Sequence, residues 1–154
     1  MEIIRKILFN KHLILLIRFG LAFLFVVSGV LKIIEPQAFA DSINGYKLLP
    51  IPVVNIFAII IPWVELLAGL SLLTKQYLVS GSILIILLSF IFIVAVSSAM
   101  LRGLDINCGC FSITSNEKVG VGIILRDIGL VIAAYWLVKS HQLSNATSLK
   151  THEY

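Results

Sequence analysis

Charge is what this chain has least of. Of its 154 residues only 13% are charged while 59% are hydrophobic, and the mean hydropathy is +1.04. Soluble domains are about a quarter charged and about half apolar, so a water-exposed globular domain is excluded. No basic-aromatic patch occurs, and the net charge of +4 comes from dispersed residues. That excludes a nucleic-acid binder and points to interfacial anchoring. Outside the apolar runs nothing is long enough to bury a core of its own, so residues 1–154 form a single domain. There is no internal repeat. Cysteine is nearly absent: the two in the chain, Cys108 and Cys110, stand one residue apart. The three histidines, His12, His141 and His152, all fall at the opposite ends of the expected helices. A metal centre needs three or four ligands, so no metal is expected.

What the chain has is long apolar runs. A bilayer core of about 30 Å requires about 20 apolar residues in a helix, and runs of that kind cover 13–31, 51–73, 78–101 and 119–138. The expected fold is therefore an all-α integral membrane protein, a four-transmembrane-helix bundle with a Cys-Gly-Cys loop between helices 3 and 4. The basic start and Ala38-Phe39-Ala40 also resemble a signal peptide with its cleavage site. The first run exceeds the usual 7–15 residue core of a signal, however, and Lys32 and Glu35 precede the site, so it is read as a retained helix.

The connection 32–50 is punctuated by Pro36, Gly45 and Pro50, with Pro52 opening the next helix. Within it, 39–48 is expected to lie along the interface as a short amphipathic helix, with Tyr46 at the headgroup level. Pro62 is expected to kink the second span. Residues 74–77 form a tight turn, which makes the second and third helices antiparallel neighbours. The third span has no charge, and its small residues at 80–82 and 97–99 suit close packing. The polar tail, 139–154, is expected to be frayed or disordered.

Arg5, Lys6, Lys11, Lys75, Lys139 and Lys150 lie on one side of this layout, and Lys32, Lys47, Arg102 and Lys118 on the other. The positive-inside rule then places both termini in the cytoplasm. The cysteine loop falls outside, in the periplasm of a cell with two membranes, where disulfides persist.

Four charges fall inside the spans: Arg18, Glu65, Arg126 and Asp127. Each would cost about 2.5–3.5 kcal/mol unpaired at a helix centre. Depth along the helices suggests that Glu65 pairs with Arg18 or Arg126. Two readings stand: an ion-pair network that fixes helix packing, or a proton or quinone site inside the bundle.

The cysteine pair has three uses to weigh. As a staple it closes almost no loop and so stabilises little, and as half a metal site it lacks partners. A strained, exposed disulfide is the more oxidising and reactive kind, which favours thiol-disulfide exchange at Cys108 and Cys110. Arg102 would favour the reactive thiolate and Asp105 would oppose it.

The motifs Ser28-Gly-Val-Leu-Lys32, Glu35-Pro36, Leu49-Pro50, Pro62-Trp-Val-Glu65, Arg126-Asp127 and above all Cys108-Gly-Cys110-Phe111 are similar to those of the MauE/DoxX group of redox-associated membrane proteins. The resemblance covers 18–138 and departs at Ser112, where the family pattern has glycine. It implies a four-helix membrane protein with a redox role and a periplasmic thioredoxin-like partner. The family namesake is implicated in methylamine utilisation, in maturing a disulfide-rich periplasmic dehydrogenase subunit. Two rival readings are a DoxX-like quinone-binding membrane subunit and a non-catalytic assembly partner. Enzymes similar to vitamin K epoxide reductase relay electrons through two cysteine pairs, so one pair excludes a complete internal relay.

Overall fold

The computed structural model describes residues 11–48, 50–103 and 121–151, with side chains from 122 to 142 in the last helix. Five helices follow in order: α1 (Lys11–Ile34), α2 (Pro36–Gly45), α3 (Ile51–Leu73), α4 (Leu78–Leu101) and α5 (Val121–Thr151). Among the described residues α1, α3 and α4 are long and apolar enough to cross a membrane. Their outer faces carry large exposed side chains such as Leu16, Phe23, Ile59, Trp63 and Leu87. Exposed apolar surface on this scale marks a lipid contact rather than a water contact. The molecule is a membrane protein.

The helices pack as two pairs. α1 lies chiefly on α3 and α5 on α4, and α3 against α4 joins the pairs. Close approach at glycines sets the α1–α3 register. A methyl group on Gly29 would come within 2.9 Å of the Pro62 carbonyl, and one on Gly69 within 2.9 Å of Val26. Small residues at such crossings let backbones touch where lipid offers no hydrophobic drive. The same logic holds between α3 and α4, where Gly81 and Ser82 are buried and Gly81 sits over the Ala68 carbonyl and Ser71. α3 runs unbroken through Pro62.

The core is divided. One cluster gathers Leu21, Phe25, Leu72, Ile85 and Leu137 from all four long helices, and a second gathers Tyr46, Val96, Ala99 and Ile123. Tyr46, expected at the headgroups, is buried there instead, edge-on to Phe92 with ring centroids 6.3 Å apart. Arg102 fixes it in place, donating to the carbonyls of Tyr46 at 3.0 Å and of Lys47 at 3.4 Å. Lys47 is held in the left-handed region at φ 48°. Gly103, also left-handed at φ 65°, ends α4 in the way helices commonly stop.

Two further expectations change. The short helix begins at Pro36 rather than at 39, because proline is preorganised for the first helical position, and it packs on α3 and α1. The tail expected to be disordered is helical as far as Thr151. Extending an existing helix costs little once its first turns are fixed, and Gln142, Leu143 and Ala146 are fair helix formers. The cysteine loop lies outside the described residues.

The close α1–α3 crossing sets two glycines of α1 in contrast. Gly29→Ala should destabilise the protein by about 1–3 kcal/mol, the usual cost of overpacking. Gly20→Ala should be neutral, because nothing lies within 4 Å of an added methyl there. Thermal unfolding of both variants in detergent checks this, and equal melting temperatures would contradict the close α1–α3 crossing.

Candidate functional site

Between the two apolar clusters the bundle interior turns polar. The Gly29 crossing places Ser28 and Lys32, on the same side of α1, opposite Glu65 of α3. Lys32 Nζ lies 2.6 Å from Glu65 Oε1, and the Ser28 hydroxyl donates to Glu65 Oε2 at 3.1 Å. Lys32 and Glu65 are each only 8% exposed. Phe39 of α2 covers the ammonium from the other side, its ring centroid 4.7 Å from Nζ, a cation–π contact strengthened by desolvation. Both charges of the pair are therefore compensated within apolar surroundings.

The partner of Glu65 is thus Lys32, not Arg18 or Arg126. Depth alone could not separate these choices, because it ignores which turns of α1 and α3 are level. Arg18 sits two turns away, where its Nε donates to the Leu72 carbonyl. That carbonyl belongs to the last turn of α3, whose orphan acceptors and negative dipole end suit a cation. Arg126 reaches its own neighbour instead: Nε and Nη2 lie 3.2 and 3.1 Å from Asp127 Oδ1. Asp127 is 3% exposed.

Three of the four charges that the sequence reading put inside spans come together, and Arg18 stays apart. Glu65, Arg126 and Asp127, with Lys32, Ser28 and Ser89, line one cavity of about 550 Å³. The remaining walls are almost wholly apolar, from Phe25, Phe57, Ile61, Leu88, Phe92 and Leu130 among others, and α2 contributes Phe39, Ser42 and Ile43. Sequence reasoning missed Lys32 because Glu35-Pro36 follows it and reads as a loop. The available signal was the stripe Phe25, Ser28, Gly29, Lys32 at helical spacing, all of it buried. Cys108 and Cys110 lie outside the described residues.

The family model described as methylamine utilisation protein MauE matches residues 10–140, most of the chain. This chain belongs to the MauE family. Among curated proteins, the methylamine utilization protein MauE of Paracoccus denitrificans is 27% identical over 119 residues, covering 77% of this chain and 64% of that protein. The corresponding protein of Methylorubrum extorquens is 26% identical over 122 residues, with coverage of 79% and 66%. That of Methylophilus methylotrophus is 30% identical over 111 residues, covering 71% and 58%. The chain therefore spans under two thirds of the length of these MauE relatives. No solved structure matches it. The segment matched to MauE contains the charged cavity and both cysteines.

The pairing predicts how charge removal propagates. Glu65→Gln should cost about 3–5 kcal/mol, because it strands the buried Lys32 ammonium. Adding Lys32→Met should recover part of that loss, whereas adding Arg18→Met should not. A double-mutant cycle on unfolding free energy should give coupling of about 0.5–3 kcal/mol for Lys32 with Glu65. Coupling near zero there, with coupling to Arg18 instead, would refute the register.

Proposed function

We propose that this MauE-family chain is an inner-membrane redox protein that exchanges disulfides, through Cys108 and Cys110, with an extracytoplasmic thioredoxin-like partner. The observation that carries the reading is the cysteine pair itself, set in the polar break between α4 and α5 of a MauE chain. A thiolate of the pair attacks the partner's disulfide, or a partner thiolate attacks that of the pair. Either way a mixed disulfide forms and one thiolate leaves; the second thiol then resolves it. Each full exchange moves two electrons and leaves one pair oxidised and the other reduced. A pair left reduced returns to the disulfide by giving up two electrons and two protons. A bilayer quinone, which becomes quinol by accepting the same, is the acceptor in this reading.

α5 is the fourth crossing in this proposal. It follows α4 from the cluster holding Ile123 to the one holding Leu137, so it covers the same depth. Both termini are then cytoplasmic. With Lys32 inside the bundle, the basic count shifts from six against four to six against three, which strengthens that orientation. A second reading, a DoxX-like quinone-binding subunit in which the cysteines are dispensable, draws support from the charged cavity.

Two experiments test the proposal. After mild reduction of intact cells, a membrane-impermeant maleimide should label Cys108 or Cys110; labelling only after the cytoplasm is opened would reverse the topology. The single serine variants should behave differently on non-reducing gels. Removing the resolving cysteine should accumulate a reducible, higher-mass complex containing a thioredoxin-fold protein, and removing the attacking one should abolish it. A Cys108→Ser/Cys110→Ser protein that functions normally, with no complex trapped by either single variant, would leave the quinone-subunit reading in place.

A further inference from the structure

The electron-acceptor step above names a quinone but gives it no place. The cavity between the two core clusters has the size, chemistry and access that such a ligand demands. Its volume of about 550 Å³ lies within the roughly 300–1,000 Å³ of small-molecule sites, which are mostly apolar with a few converging polar groups.

We infer that the cavity is a binding site for an isoprenoid-type quinone, its ring toward Lys32, Ser89 and Arg126 and its tail leaving between α3 and α4. The charges select the ligand. Two cations and two anions face the cavity, Lys32 with Glu65 and Arg126 with Asp127. This sums to zero and offers no net attraction to a phosphate or a fatty acid. A quinone ring is neutral and carries only acceptors, its carbonyl oxygens. The Lys32 ammonium carries three N–H donors and the Arg126 guanidinium five, and the Ser89 hydroxyl adds one O–H.

Depth excludes a phospholipid headgroup. Glu65 is about 21 Å along α3 from Ile51 and about 12 Å from Leu73, well inside a hydrocarbon layer of about 30 Å. Headgroups stay at the boundary of that layer, whereas a neutral ring can enter it. Access follows from the walls. Phe57, Ile91 and Val94 line the cavity and are also exposed on the outer surface of the bundle. The gap between α3 and α4 therefore faces lipid, and a ligand dissolved in the bilayer enters sideways. Phe39 and Tyr46, both buried, form another part of the lining.

The inference rests on the quinone-acceptor reading for its purpose, but binding requires neither cysteine. The test uses the full chain in phospholipid nanodiscs with an azido-ubiquinone photoprobe, competed by excess decylubiquinone, and peptide mapping by mass spectrometry. Competable labelling should concentrate in 57–65 and 88–95. Ala95→Trp, which fills the lining, and Ser89→Leu, which removes a donor, should each lower it at least fivefold. Leu67→Trp, on the outer face of α3, should leave it unchanged. Monodisperse elution of each variant shows that it is folded, and Ser89→Leu serves if Ala95→Trp is not.

Labelling that is not competed, that spreads over Leu16, Phe23 and Leu67, or that an azido-phospholipid reproduces at 57–65 and 88–95 would overturn the site. Competable labelling retained in Cys108→Ser/Cys110→Ser supports it. If that labelling coincides with failure to trap any partner, disulfide exchange falls and the quinone site stands. A trapped partner without competable labelling gives the reverse.

Discussion

A lysine and a glutamate held 2.6 Å apart inside an apolar bundle constrain everything around them. Neither charge could be stranded there alone without a cost of several kcal/mol, so the two helices that carry them can pack in one register only. That register needs Gly29 against Pro62 and Gly69 against Val26, because a side chain at either glycine would hold α1 and α3 apart. The ion pair and the glycine contacts are thus one arrangement seen at two levels. Charge complementarity selects the register, and small residues make the approach close enough to use it.

The break at Glu35-Pro36 follows from the same constraint. Lys32 has to be inside, near the level of Glu65, yet the chain has to reach Pro50 at the far end of α3. A second, shorter helix covers the distance, and its Phe39 seals the ammonium from the side that α3 leaves open. The turn after α2 then needs its own support. Lys47 adopts a left-handed backbone, which costs about 1–3 kcal/mol for a residue with a side chain. The bonds from Arg102 to the Tyr46 and Lys47 carbonyls hold it there.

Much of this was legible in the sequence and some was not, for physical reasons. Hydropathy located α1, α3 and α4, and the turn at 74–77 followed from its length. The small residues at 80–82 gave the α3–α4 contact. Glu65, Arg126 and Asp127 stood out because charge in an apolar run is expensive, and the structure does bring them to one cavity. Partner choice was not legible from depth, since hydropathy carries no rotational or register information. Lys32 was counted with a loop because a proline follows closely, although its spacing from Phe25, Ser28 and Gly29 marks it as part of a buried face. The helical tail escaped notice because polar composition says little about backbone conformation once a helix is already running.

The clamp at Arg102 also sets the reach of the chain beyond it. α4 stops at a backbone fixed to Tyr46, and α5 returns with Ile123 in the same buried cluster as Tyr46. Cys108 is the fifth residue after Gly103, and a fully extended chain gains at most about 3.3–3.6 Å per residue. Cys108 is therefore leashed within about 18 Å of the end of the bundle, whatever path the chain takes. In the disulfide-exchange reading a partner therefore meets Cys108 close to the end of the bundle, and the bilayer shapes that approach as much as either protein does.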